Sequence, residues 1–206
     1  MKPRTRLVFA LSAGFGSGLI AAVLHGIPNF SVHATGQPPA ALDKLKLTQE
    51  RPLAPAVSFV DAAGKVLKLA DFRGRYVLVN LWSTWCGPCI AELPALARLN
   101  ASLPQERITV LPIDLEELDA AKVGDFLKRH GVEALPIYID RELDVTRGFV
   151  VNELPLTVLI DADGHELARA AGPQKWDDPA SVAYLKAISA PTPAGSQHVG
   201  TGLSPR

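Results

Sequence analysis

Two stretches of the chain are almost continuously apolar over the length of a strand. Residues 75–83 (RYVLVNLWS) and 107–114 (RITVLPID) are rich in β-branched residues, the pattern of strands buried on both faces. Between them Leu93, Leu96, Leu99 and Leu103 recur at helical spacing. A strand, helix, strand order of this kind predicts a parallel pair joined by a right-handed crossover. A second amphipathic helix is expected over about 118–130, with Phe126 and Leu127 inward and Gly131 as its stop. PIYID reads as a short strand, and LTVLIDADGHELARAAG as a β-hairpin turning at Asp163-Gly164. DDPASVAYLKAIS closes the domain as a helix, with Asp178 as N-cap, Pro179 at the first position and Val182, Leu185 and Ile188 as its apolar stripe. Upstream, AVSFV and KVLKL flank DAAG and form a hairpin. The pattern as a whole is an α/β domain over residues 53–190, with helices on both faces and an N-terminal β-hairpin extension.

The ends of the chain differ in kind. Residues 7–24 carry no charge and follow Lys2, Arg4 and Arg6. As a helix this run covers roughly 27 Å, close to a hydrocarbon core. The basic flank stays cytoplasmic, which sends the remainder outward. Residues 1–25 are therefore expected to be an uncleaved inner-membrane anchor, with cleavage after VHA (32–34) as the alternative. Residues 26–52 read as a proline-rich linker with a candidate short helix in ALDKLKL, and residues 191–206 as a disordered tail. Basic and acidic residues number 21 each and are interspersed, so no concentrated basic face exists to neutralise phosphates. Nucleic-acid binding is excluded on that ground.

The chain has two cysteines, Cys86 and Cys89, at the start of the first helix. A disulfide closing so short a loop removes little entropy from the unfolded chain, so it is a poor staple. Redox chemistry suits the spacing better. A thiol attacks as its thiolate, and Cys86 sits where orphan N–H groups and the positive end of a helix dipole stabilise an anion. Pro88 fits the first helical turn because it lacks an N–H to satisfy, and Gly87 lets a partner backbone approach closely. Cys86 is then the exposed nucleophile, and Cys89, one turn on, the protected resolving thiol.

WCGPC after an apolar strand resembles the thioredoxin active-site motif. VLVNLWSTWCGPCIAELPAL is similar to the TlpA/ResA-like branch of membrane-anchored thiol:disulfide interchange proteins, and LPLTVLIDADGHELAR to that branch's cis-proline segment. The resemblance covers about residues 53–190 and implies a thioredoxin fold, a central mixed β-sheet flanked by helices. It also implies a redox disulfide Cys86–Cys89, a cis-proline at Pro155, and pairing of the Leu154 backbone with a substrate strand. Trp85 is expected to cover the disulfide edge and line the partner groove with Gly87 and Pro88, whereas Trp82 is the better candidate for the core. Pro94 is expected to kink its helix without ending it.

Two departures from thioredoxin shape the site. Asn80 stands where thioredoxins keep a buried aspartate, and the lysine that partners it is replaced near Val110. Glu92, about one helical turn past Cys89, faces the same side. TlpA/ResA-like proteins carry a glutamate at this position. Glu92 is expected to adjust the thiol pKa values and to assist proton transfer from Cys89, the alternative being a solvated helix glutamate. His25, His33, His130, His165 and His198 are scattered without ligand spacing, and neither metal nor cofactor is expected. DLEELD (114–119) reads as a helix start that could form part of a partner-binding rim.

The expected function is an extracytoplasmic thiol:disulfide oxidoreductase. Gly-Pro between the cysteines matches reducing thioredoxins near about −270 mV rather than oxidants near about −120 mV. The resemblance implies clients with reducible disulfides in cytochrome c or respiratory-oxidase copper-site maturation, and a membrane electron donor. A general disulfide oxidase or isomerase is the enzymatic alternative, and a Cu(I)-delivery protein using both sulfurs the alternative of another class.

Overall fold

A computed structural model describes residues 36–190 of the protein. Among them eight strands form one mixed sheet. They are β1 (Lys46–Leu47), β2 (Ser58–Asp61), β3 (Val66–Lys68), β4 (Tyr76–Trp82), β5 (Ile108–Asp114), β6 (Tyr138–Ile139), β7 (Leu156–Ile160) and β8 (Glu166–Ala171). Their order is β1-β8-β7-β4-β5-β6-β2-β3. The β4–β5 and β5–β6 pairs are parallel, and every other pair is antiparallel. The helices are α1 (Gly87–Ser102), α2 (Ala120–Arg129), α3 (Asp144–Gly148) and α4 (Pro179–Ile188).

The continuous apolar runs are central because both of their faces are covered. Leu78 and Trp82 of β4 point to one side, where Leu93, Leu96 and Leu99 of α1, Val123 and Leu127 of α2 and Leu185 of α4 complete a core. Val77, Val79 and Leu81 point to the other, where they meet Val145 and Phe149 of the α3 region and Phe59 of the N-terminal hairpin. Each fully buried leucine contributes about 1.5–3 kcal/mol relative to exposure. The thioredoxin fold, the helices on both faces and the β2–β3 hairpin are as the sequence predicts.

Three differences have physical causes. The linker expected over 26–52 gives way to folded structure from Ala40. Ala40–Leu42 is a 3-10 turn with Leu42 buried, Leu45 is buried beside it, and β1 pairs with β8. An edge strand with free N–H and C=O groups gains from such cover, and two buried leucines are too few to show through a proline-rich composition. The helix anticipated in ALDKLKL is this turn followed by β1. Second, α3 was not anticipated, since five residues give no readable period. It forms because the buried Asp140 carboxylate accepts hydrogen bonds from Val145 N, Thr146 N and Thr146 Oγ1. Third, α2 starts at Ala120 because the Asp119 side chain caps it, accepting from Lys122 N at 2.8 Å.

The helix α1 runs through Pro94. Gly131 adopts φ 66° just past α2, the left-handed position that lets Val132 N return to Leu127 O. The apolar segment 7–24, VHA and the tail 191–206 lie outside the described residues. Among the described residues no helix is long and apolar enough to cross a membrane.

Candidate active site

The β4 strand delivers the chain to the carboxyl end of the sheet, and a short turn through Ser83, Thr84 and Trp85 hands it to α1. Glu116, from the loop after β5, fixes this turn by accepting a hydrogen bond from Thr84 N. Cys86 is the N-cap of α1, and its Sγ accepts from Cys89 N at 3.2 Å. The two sulfurs are bonded, with Cα atoms 5.3 Å apart. Cys89 is 1 % exposed and Cys86 5 %, so in the disulfide Cys86 is the more accessible sulfur without being openly exposed. Its exposed character is the part of the expectation that needs correcting: Cys86 is buried, and meets solvent only through the groove it lines.

Cys86 faces a groove of about 610 Å³ whose walls include Trp85, Leu115, Leu143, Val151 and Leu154. Trp85 is 71 % exposed on the rim, whereas Trp82 is buried in the core. Gly87 and Pro88 also line the groove, and nothing crowds the position of a Cβ at Gly87. Leu154–Pro155 is a cis peptide, immediately before β7. The structure thus gathers Trp85, Cys86, Gly87, Pro88 and Leu154 on one concave surface, with cis-Pro155 next in the chain.

One helical turn past Cys89 on α1 lies Glu92, only 3 % exposed and therefore not a solvated helix glutamate. Its Oε1 accepts from Gln174 N at 2.8 Å and from Trp176 Nε1, and its Oε2 from Asn80 Nδ2 at 3.2 Å. Asn80 Nδ2 also donates to Thr157 Oγ1 at 2.9 Å. Burial pushes the Glu92 carboxyl up to about 7, and the three donors, with Lys44 nearby, limit the rise. Asn80 therefore does not replace the missing aspartate as an acid; it is a hydrogen-bond partner of the carboxyl that has taken over the pocket.

Sequence reasoning missed Gln174, Trp176 and Thr157. Thr157 stands two residues past Pro155, but Gln174 and Trp176 come from an irregular segment over 80 residues from Glu92, with no spacing to signal them. The DLEELD cluster divides by role. Asp119 caps α2 and Glu116 holds the active-site turn, while Asp114 is fully buried at the end of β5. Its carboxyl is pushed up to about 7, by burial first and by Glu116 second. His130 caps the end of α2 and His165 lies in the β7–β8 turn.

Residues 51–166 match the AhpC/TSA family. The chain belongs to this family. Among its curated relatives, the thiol-disulfide oxidoreductase ResA of Bacillus thuringiensis subsp. konkukian is 31% identical over 147 residues, 71% of this chain and 81% of that protein. ResA of Bacillus subtilis is 32% identical over 111 residues, 54% of this chain and 61% of that protein. Among solved structures, a thioredoxin-family thiol:disulfide interchange protein from Chlorobium tepidum aligns with a TM-score of 0.54 at 25% identity, covering 66% of this chain and 97% of that one. StoA from Bacillus subtilis aligns with a TM-score of 0.54 at 21% identity, over 64% of this chain and 98% of that one, and shows the shared fold. This AhpC/TSA member is a thiol-disulfide oxidoreductase of the ResA type.

Proposed function

We propose that the protein reduces client disulfides outside the cytoplasm, with Cys86 and Cys89 as its Cys-Gly-Pro-Cys redox pair. The clients are the cysteine pairs of apocytochrome c or of respiratory-oxidase copper sites, and residues 1–25 hold the protein to the inner membrane. The observation that carries the reading is the Cys86–Cys89 disulfide at the floor of an apolar groove beside cis-Pro155. An extended client segment lies in that groove, pairs with the Leu154 backbone and packs on Trp85.

In the reduced protein the Cys86 thiolate attacks one client sulfur. The client disulfide breaks, and its other sulfur leaves as a thiolate that takes a proton from water. Cys89 then gives its proton to the Glu92 carboxylate and attacks Cys86 Sγ. The mixed disulfide breaks, the second client sulfur departs, and the Cys86–Cys89 disulfide forms. Two electrons have passed to the client, and a membrane donor returns them. A buried carboxyl near pH 7 is matched to this task, since it can be filled and emptied at the working pH.

Equilibration with glutathione redox buffers tests the direction. A potential near that of reducing thioredoxins is expected, and a value above about −180 mV would make the protein an oxidant or isomerase instead. Cys89→Ser is expected to capture the client on Cys86 as a mixed disulfide. Stoichiometric Cu(I) binding to the reduced pair, without disulfide exchange, would turn the reading to copper delivery.

A further inference from the structure

Asn80 is buried, and its amide lies between two groups that can each either donate or accept a hydrogen bond. Its Nδ2 serves both Glu92 Oε2 and Thr157 Oγ1, while its Oδ1 is buried with no partner. That arrangement suits an ionised Glu92, which only accepts. A protonated carboxyl carries an O–H, and the position of that proton is constrained. Glu92 Oε1 already accepts from Gln174 N and Trp176 Nε1, so the proton belongs on Oε2, facing a single donor at 3.2 Å.

With the proton there, the amide of Asn80 opposes an O–H with its own N–H. Rotating the amide by half a turn about its last side-chain bond places Oδ1 between Glu92 and Thr157. It then accepts from the Glu92 O–H and from the Thr157 hydroxyl, which can donate as readily as it accepts. Both orientations keep two hydrogen bonds and leave one amide atom unpartnered. The pocket thus changes protonation state without stranding Glu92 or Thr157 unpaired, a loss of about 1–3 kcal/mol for a buried group.

We propose that Asn80 is a positioning residue that reverses its amide when Glu92 gains or loses a proton, with Thr157 as the second contact of both orientations. The inference rests on the reading of Glu92 as the proton acceptor for Cys89. It explains why an asparagine and a threonine occupy the floor of the pocket: neither titrates, and together they fit either form of the acid. Lys44 is the charged group that bears on Glu92, Arg98 is the charged side chain further along its helix, and Cys86 and Cys89, bonded here, become thiols at the start of that helix only when the protein is reduced. The β4 and 172–176 elements present neutral groups to it, and β7 presents the Thr157 hydroxyl to Asn80.

The test is NMR of the full-length chain in both redox states, following the Glu92 carboxyl carbon and the Asn80 side-chain amide from pH 5 to 9. The expected result is that both titrate with one midpoint. Contacts between the amide protons and Thr157 are present above that midpoint and lost below it. Glu92→Gln, which mimics the protonated carboxyl, is expected to hold the low-pH pattern at every pH. A titrating Glu92 with amide–Thr157 contacts unchanged throughout would overturn the reversal and leave the Glu92 reading standing. A Glu92 that does not titrate in this range would overturn both. Asn80→Leu supplies a functional readout. It is expected to raise the Glu92 midpoint by about one pH unit, because the ionised form loses the stronger, charge-assisted bond. The same upward move is expected in the pH profile of disulfide exchange, and an unmoved profile would count against the role.

Discussion

Glu92 and Asp114 are two buried carboxyls in one domain, both pushed up to about 7, and their surroundings have almost nothing in common. Glu92 is met by three donors from two distant parts of the chain, β4 and the segment after β8. Neither buried oxygen of Asp114 has a partner at full hydrogen-bond geometry, and only the backbone N–H groups of Leu115 and Glu116, the next two residues, help to hold its charge; Trp82 Nε1, on the residue paired with it across β4 and β5, is unpartnered. Equal pKa values therefore hide different designs. Glu92 is buried yet prepared for charge, so its proton can come and go at modest cost. Asp114 ionises in the same range, with only the backbone N–H groups of the next two residues to meet its charge. A buried acid becomes useful for proton transfer when it also stands about one helical turn from the thiol, as Glu92 does from Cys89.

Exchange kinetics should separate the pair most strongly. Glu92→Gln is expected to slow resolution of the mixed disulfide by about 100-fold or more, the usual weight of one general acid–base group. Asp114→Asn should leave the rate nearly unchanged. Stopped-flow exchange with a model disulfide checks this, and equal effects of the two substitutions would erase the distinction.

The donors to Glu92 come next. Trp176→Ala removes a fully buried ring together with a hydrogen bond, and is expected to cost about 3–5 kcal/mol in urea unfolding of the oxidised protein. Trp176→Phe keeps most of the ring, and should cost about 1–3 kcal/mol while raising the Glu92 midpoint. If Trp176→Phe left that midpoint in place, the indole N–H would have no part in preparing the charge.

The pH dependence of stability gives the third test. Both carboxyls have folded pKa values above their ordinary ones, 4.5 to about 7 for Glu92 and 3.8 to about 7 for Asp114. Between those values the folded state holds more protons than the unfolded state, so stability falls as pH rises. At 1.36 kcal/mol per unit, each group is expected to withdraw on the order of 3 kcal/mol by pH 8 relative to pH 4. Glu92→Gln and Asp114→Asn should each flatten the curve, and the double variant more so. A single variant that kept the full slope would show that its group was not responsible.

The smallest effect belongs to the rim. Trp85→Ala is expected to leave stability within about 0.5 kcal/mol, since the ring is 71 % exposed, while weakening client capture by Cys89→Ser. A large stability loss would show that Trp85 is a packing residue after all.

How far these residues were legible from sequence follows from how far apart their partners lie. WCGPC, the strand before it and Pro155 could be read because the motif and the apolar runs are local. The β7–β8 hairpin turned where expected because Gly164 supplies a left-handed φ of 88° within the turn itself. The same reasoning placed Glu92 on the side of Cys89 but could not say whether water reached it. That depended on Trp176 and Gln174, brought over Glu92 by the chain beyond β8. DLEELD looked like a single acidic cluster, yet neighbouring positions of a strand end, a loop and a cap went to three different environments.

The sequence alone determined the α/β pattern, the place of the thiol pair at a helix start, and the choice of a glutamate over an aspartate as the nearby acid. These depend on periodicity and on neighbours within a few residues, which a linear text records. Tertiary structure decided that Glu92 is buried and met by donors from a distant segment, that Asp114 is buried with only adjacent backbone N–H groups on its charge, and that Asn80 faces both Glu92 and Thr157. Desolvation and hydrogen bonding depend on which distant segments close over a side chain, and only the folded chain brings them together.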